Sequence, residues 1–325
     1  MNGYGLVLAG GGARGSYEIG VWRALRELNI PIIAVTGTSV GALNGAMVVQ
    51  NDFEIAHSMW SSLAVKDVLK FQREIDSISD IYKYPMDILP AIKTAISSGG
   101  LDTTPLSNLM YSLIDEDKVR NSPIDFGLVT FSLTDLKAVE IFKEDIPEGQ
   151  LVDYLLASAC FPSFKPIEID NKRFIDGGIY NNVPISLVLE KGIRDIIVVD
   201  ISNNGLPKNI DLKGLNIVHI EPSENLGGVL DFNSEQSRLN MELGYLDTLK
   251  AFGKVQGNSY YLIDLPDKYS NEFQINAFHL ENIYSLLGID YADEFVSVNK
   301  MIINKVYKAV GQYMMENILK EKGLC

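Results

Sequence analysis

The sequence predicts an α/β fold: a mostly parallel central sheet flanked by helices, with a helical C-terminal extension. Three observations carry this expectation. The first 50 residues alternate strand, helix, strand, helix, an order that sets parallel strands side by side through right-handed crossovers. A G-x-S-x-G, Gly37-Thr38-Ser39-Val40-Gly41, stands between the second of these strands and the helix after it. The 325 residues are 46% hydrophobic and 22% charged, an ordinary globular composition with a large core. That length fits one big domain, or one domain with an appendage of about 100 residues.

Taken in order, Tyr4–Ala9 reads as an apolar strand, and Ser16–Leu28 places Ile19, Val21, Leu25 and Leu28 at helical spacing. Ile32–Val35 is the second strand, Val40–Gln50 a helix of small residues and Phe53–Leu63 a further helix. Residues 65–98 hold short amphipathic pieces broken by Pro85 and Pro90, with equal numbers of basic and acidic residues. Ser97-Ser98-Gly99-Gly100 then punctuates the chain like a hinge, so the segment is expected to cover a cleft. Its plain alternative is a set of helices packed on the sheet edge. Thr103 or Thr104 caps a helix that opens on Pro105 and runs through Leu113. Asp125–Ser132 and Ala138–Phe142 form a strand pair, Gln150–Ala159 a helix, and Ile167–Ile169 with Arg173–Ile175 a short hairpin turning at Asp170-Asn171. Ile185–Glu190 is helical, and Asp195–Asp200 and Ile217–Ile220 are strands. The remainder is mostly helical, at Asn233–Phe252, Gln274–Leu287 and Asp293–Lys320, with a strand at Ser259–Ile263.

The net charge of −14 lacks the basic footprint of a nucleic-acid binder and does not favour constitutive docking on anionic lipid; it serves solubility. Cys160 and Cys325 make no disulfide framework, and the longest apolar runs are too short to span a bilayer. The chain opens directly into a strand with no signal segment, so a reduced, cytoplasmic enzyme is expected.

Two glycine-rich turns carry the chemistry. On a strand–turn–helix, G-x-S-x-G is a nucleophile elbow that lifts the Ser39 hydroxyl above the sheet and aims the free N–H groups of the next helix at developing negative charge. Its plain alternative is a tight βα turn with a capping serine. Gly10-Gly11-Gly12-Ala13-Arg14-Gly15 also matches the dinucleotide pattern G-x-G-x-x-G. That pattern needs an acidic residue about 20 positions on to hold a ribose. None lies between Glu27 and Asp52, so the glycines are read as baring backbone N–H groups to an oxyanion, with Arg14 adding positive field. Of the three histidines, His57 falls in an amphipathic helix, His219 inside a strand and His279 in the C-terminal part; none is well placed as a base. Asp176 is better placed, in a strand-end loop, although Asp176-Gly177 is also a standard type I′ turn pair.

The set Gly10–Gly15, Gly37–Gly41, Ala157-Ser158-Ala159-Cys160-Phe161-Pro162 and Asp176-Gly177-Gly178 with Asn182-Val183-Pro184 resembles the patatin-like phospholipase family in order, spacing and strand–loop context. The resemblance implies a patatin-like, α/β-hydrolase-related catalytic domain over residues 1–204; residues 205–325 carry no motif of the family and are read as a mostly helical region packed on or extending it. It implies a serine carboxylic-ester hydrolase of lipid acyl esters, of phospholipase A, lysophospholipase or esterase type, acting through an acyl-enzyme without metal, other cofactor or histidine. Ser39 would be the nucleophile and Asp176 its base. The oxyanion hole would be built from Gly10, Gly11, Gly12, Arg14 and Gly15 together with Val40, and Gly37, Gly41, Gly177, Gly178, Asn182 and Pro184 would support the motifs. A carboxylate of ordinary pKa is a weak base at neutral pH, so burial near Ser39 has to raise it, or preorganisation has to carry more of the rate. The expected partner is a lipid or acyl-ester substrate, with transient contact at a membrane or micelle surface; no oligomeric state is assigned. Readings on the same fold are a thioesterase or acyltransferase. From another class the readings are a nucleotide binder, disfavoured by the missing acid, and a silent lipid-binding protein, disfavoured because every catalytic position is filled. Cys160 is read as a packed small hydrophobe, since nothing basic neighbours it.

Overall fold

The computed structural model describes residues 3–70, 99–202, 205, 212–256 and 262–263. Its main sheet has the order β5-β6-β3-β2-β1-β7-β8, with β4 also paired to β3. The strands are β1 (Tyr4–Leu8), β2 (Ile32–Thr38), β3 (Asp125–Ser132), β4 (Lys137–Phe142), β5 (Ile167–Ile169), β6 (Lys172–Asp176), β7 (Asp195–Val199) and β8 (Asn216–Ile220). The run β3-β2-β1-β7-β8 is parallel throughout, and β4, β5 and β6 add antiparallel pairs at one side. The mostly parallel α/β sheet expected from the first 50 residues is therefore the architecture of the protein.

The central strands are buried on both faces, which is why they read as unbroken apolar runs. Leu6–Leu8, Val35, Phe126, Leu128 and Ile196–Val199 are all nearly inaccessible. Helix α1 (Ser16–Glu27) follows β1 through a short 3₁₀ turn at Gly12–Gly15, and α2 (Val40–Val49) follows β2 directly. Every residue of α2 is buried, so its small and apolar residues suit a helix enclosed all round. Then come α3 (Phe53–Ser62), α4 (Val65–Val68), α5 (Thr104–Leu113), α6 (Glu116–Asn121), α7 (Leu151–Ser158) and α8 (Ile185–Glu190). The cap of α5 differs from expectation: neither threonine side chain caps it, and Asp102 Oδ1 accepts from Thr104 N at 2.8 Å. Short α6, unmarked in the sequence by any apolar period, is capped by Asp115 accepting from Lys118 N.

β2 runs three residues further than its apolar stretch, to Thr38, because it is hydrogen-bonded between two neighbours. Leu8 lies opposite Gly37, and Val129 opposite Thr38. The first compact unit continues to Ala251, past the boundary at residue 204 that the motifs suggest. The reason is α9 (Ser234–Ala251), which lies along α1. Tyr17 Oη donates to Asp247 Oδ2 at 2.9 Å, Tyr245 Oη to Glu27 at 2.8 Å and Asn240 Nδ2 to Ser16 Oγ at 3.2 Å. A second unit starts at Phe252, and its described part is the antiparallel pair β9 (Val255–Gln256) and β10 (Leu262–Ile263). The expected helices at Gln274–Leu287 and Asp293–Lys320, and most of the expected cover at 65–98, lie outside the described residues. Val65, Val68 and Leu69 are described and buried.

Candidate active site

The sheet register brings two strand ends together. β3 pairs with β2 along Asp125–Val129 and with β6 along Thr130–Ser132, while β4 occupies its other edge. β2 and β6 therefore share one edge of β3. They run in opposite directions, so their C-terminal ends meet, with Thr38 opposite Val129 and Asp176 opposite the next residue, Thr130. Ser39, the residue after β2, thus faces the last residue of β6. Ser39 Oγ donates to Asp176 Oδ2 at 2.6 Å, across 137 residues of sequence.

The turn at Ser39 is strained in the way an elbow requires. Its φ of 56° and ψ of −129° lie in a region that L-residues seldom occupy. Gly37 and Gly41 are needed by close approach: a Cβ on Gly37 would strike the backbone of Gly41, and one on Gly41 the backbone of Leu8. The strain is held from outside the turn. Ser158, fully buried at the end of α7, accepts from Ser39 N at 2.9 Å and donates to Val129 O at 2.6 Å. Ser158→Ala strands the Ser39 N–H in a buried site, and is expected to cost about 1–3 kcal/mol of stability. Denaturant unfolding measures it, with a midpoint shift at unchanged slope.

Asp176 is 5% exposed, and its Oδ1 accepts from Gly178 N at 2.7 Å. Burial raises its pKa from the ordinary 3.8 to about 6, against the lowering effect of the hydrogen bonds from Ser39 and Gly178. The loop after it is stapled to β2, for Thr36 Oγ1 donates to Pro184 O at 3.0 Å and Thr38 Oγ1 to Asn181 O at 2.8 Å. Asn182 clamps Gly10 from both sides, donating through Nδ2 to Gly10 O at 3.1 Å and accepting from Gly10 N through its carbonyl at 3.2 Å.

In the glycine loop, Ala13 N donates to Val229 O and Arg14 N to Gly11 O. With Gly10 N held by Asn182, the N–H groups of Gly11 and Gly12 have no partner among the described residues. Both glycines border the cavity that contains Ser39, as does Val40, whose N–H opens α2. Arg14 and Gly15 stand apart from this cavity. The Arg14 guanidinium donates to Gly227 O at 2.9 Å and Ile201 O at 3.4 Å, which ties the loop to these two carbonyls. His57 lies on α3 beside the Phe53 ring, His219 lies on β8, and neither borders the cavity; His279 is outside the described residues. Cys160 is buried, donates to Lys165 O, and burial pushes its thiol up to about 12, so it is no thiolate at neutral pH.

The cavity has a volume of about 350 Å³. Ser39, Asp176 and the bare glycines border it together with Leu43, Met47, Trp60 and Met110. Val229, Leu230 and Phe232 also border it, from the region that carries no motif in the sequence. Among the described residues no helix is long and apolar enough to cross a membrane.

A family model described as patatin-like phospholipase matches residues 6–189. The chain is 25% identical over 209 residues to patatin-like phospholipase domain-containing protein 7 of Rattus norvegicus, covering 62% of this chain and 14% of that protein. It is 26% identical over 200 residues to lysophospholipase NTE1 of Mycosarcoma maydis, covering 61% of this chain and 10% of that one. The chain thus spans about a seventh or less of these relatives' length. Among solved structures, VipD from Legionella pneumophila aligns at 15% identity and a TM-score of 0.48, over 78% of this chain and 67% of that chain.

Proposed function

This chain belongs to the patatin-like phospholipase family, and on that premise we propose that it hydrolyses lipid acyl esters with Ser39 as nucleophile and Asp176 as general base. The observation that carries the reading is the 2.6 Å hydrogen bond from Ser39 Oγ to a buried carboxylate, in the wall of a mainly apolar cavity.

In this mechanism Asp176 Oδ2 takes the Ser39 hydroxyl proton as Oγ attacks the ester carbonyl. Charge gathers on the carbonyl oxygen, where the N–H groups of Gly11, Gly12 and Val40 and the positive end of α2 stabilise it. The C–O bond to the alcohol breaks, and the alcohol or lysolipid leaves with the proton that Asp176 held. Water then loses a proton to Asp176 and attacks the acyl-enzyme, and Ser39 departs reprotonated. Ser39 N is engaged by Ser158, which leaves the next amide, at Val40, to serve the oxyanion. A base whose pKa is about 6 is ionised at pH 7 and is far better matched to a serine than an ordinary carboxylate.

The acyl chain would lie along α2. Ser39 and Met47 are eight residues apart, about 12 Å of helix, which accommodates roughly nine or ten carbons of an extended chain. Each added methylene that is buried contributes about 0.8 kcal/mol, so kcat/KM on soluble esters should rise about fourfold per methylene until the cavity is full. Leu109 borders the cavity from α5 and is only half-buried, so a larger side chain fits there with little strain. Leu109→Trp should leave the acetate ester within about threefold of the parent and lower the decanoate ester at least tenfold. A p-nitrophenyl ester series from two to twelve carbons reads both effects, and equal losses on all chain lengths would overturn this placement of the chain. Labelling by an alkyl fluorophosphonate, mapped to Ser39 by mass spectrometry, tests the hydrolase reading itself.

A further inference from the structure

The first turn of α1 holds a carboxyl group that the mechanism above does not use. Glu18 is 2% exposed; its Oε2 accepts from Asn44 Nδ2 at 2.7 Å, and its Oε1 is buried with no partner. Burial pushes its pKa well above the usual carboxylate range, against the lowering effect of the Asn44 hydrogen bond. Asn44 lies on α2, about one turn beyond Ser39. Its amide nitrogen also donates to Gly15 O at 2.9 Å, and its Oδ1 accepts from Trp60 Nε1 at 2.9 Å. Both N–H donors of the Asn44 amide are thereby used, one on each end of the α1 start. Backbone packing reinforces the join, since a Cβ on Gly15 would collide with the Val40 side chain.

This matters because the oxyanion donors come from two separate elements. Gly11 and Gly12 belong to the loop that ends at Gly15, and Val40 belongs to α2. Donors must converge to within about 0.5 Å of one point to hold an oxyanion, so the two elements need a fixed relation. We propose that Glu18 is a positioning residue for the oxyanion hole: by fixing the Asn44 amide it ties Gly15, and with it the Gly11–Gly12 loop, to the helix that carries Ser39 and Val40. A purely packing role would be better met by leucine, since a buried carboxyl with one unpartnered oxygen is costly. The proposal rests on the acyl-hydrolase reading.

The test compares Glu18→Gln, which keeps an oxygen for Asn44, with Glu18→Leu, which fills the space without one, both in the full chain. Glu18→Leu should lower kcat on a short soluble ester at least tenfold with KM within about twofold, and Glu18→Gln should stay within about threefold of the parent on both. The hydrogen-bonded amides of Gly10, Ala13 and Arg14 should exchange with deuterium at least tenfold faster in the folded Leu variant and at the parent rate in the Gln variant. Glu18→Met, unbranched and of similar length, takes the place of Leu if that variant does not fold. A folded Leu or Met variant with parental kcat and parental exchange overturns the proposal, as does a Gln variant as impaired as Leu. The two readings fail separately. A parent that hydrolyses no ester and is not labelled at Ser39 removes the hydrolase reading, while exchange at residues 10–14 still decides the positioning one.

Discussion

Ser39→Ala is expected to abolish acyl-ester hydrolysis and fluorophosphonate labelling in a protein that remains folded. No other serine hydroxyl is known to approach Asp176 in the described structure, and without the Oγ no acyl-enzyme can form, so the loss should exceed roughly 10⁴-fold. The variant should also be less stable at pH 8. Losing the Ser39 hydrogen bond leaves Asp176 buried with Gly178 N as its remaining donor among the hydrogen bonds described, and an ionised carboxylate is then poorly compensated. The φ of 56° at residue 39 separates this effect from backbone strain: Ser39→Gly should be more stable than Ser39→Ala by about 1 kcal/mol, because glycine accepts that conformation without a Cβ penalty. Intact-mass and peptide-level spectrometry after labelling check the first part, and urea unfolding of the three proteins at pH 8 checks the second. Label found on another serine would sink the assignment.

Asp176→Asn should lower kcat by about 10²–10⁴-fold at pH 7.5, since it preserves size while removing the proton acceptor. In the parent, activity should rise with pH through about 6, as Asp176 ionises, and then level off. The Asn variant should lose that limb. Stability should move the other way. The folded pKa of Asp176 lies above its unfolded value, so the stability linked to this group is fully present below about 3.8 and is lost as pH rises through about 6. The difference between 3.8 and about 6 corresponds to about 3 kcal/mol at neutral pH, in a group that is almost wholly buried. Asp176→Asn should therefore raise the melting temperature at pH 7.5 and lose that advantage below pH 4. Retention of more than about a tenth of the parent rate would confine general-base help to under about 1.4 kcal/mol. A melting temperature equal to the parent's at both pH values would mean that Asp176 is not strained by burial.

Much of the fold was legible in the residues because strands and helices of this kind are declared over short distances. Tyr4–Ala9 and Asp195–Asp200 are apolar runs of strand length, and each corresponds to a central parallel strand, β1 and β7. The elbow was legible for the same reason, since a strand, a glycine-flanked serine and a small-residue helix lie within the 19 residues from Ile32 to Gln50. Helix α6 was not, because its six residues carry no apolar period and it is secured by a cap and by Arg120 bonds to the carbonyls at 143, 146 and 147. In the site, Ser158 stood inside a quoted motif but with no role, since nothing local says that its hydroxyl reaches Ser39 N from 119 residues away.

By itself, the sequence determined the mostly parallel α/β class, the turn that lifts Ser39, the bare-amide glycine loop and, through its motifs, the family. Each of these is a local pattern in which neighbouring residues choose one another's conformation. The tertiary structure alone decided which distant groups meet. On local grounds Asp176-Gly177 was also a standard hairpin-turn pair. It becomes the partner of Ser39 because β3 divides one edge between β2 and β6, so that their ends abut. The guanidinium of Arg14 is held by the carbonyls of Gly227 and Ile201, groups that every sequence possesses and none advertises. The same holds for Glu18: in α1 it is one more polar residue, and only enclosure in the fold raises its pKa and joins it to Asn44. Register and enclosure arise from the packing of the whole sheet and its helices, and they are what turn a legible set of motifs into a site.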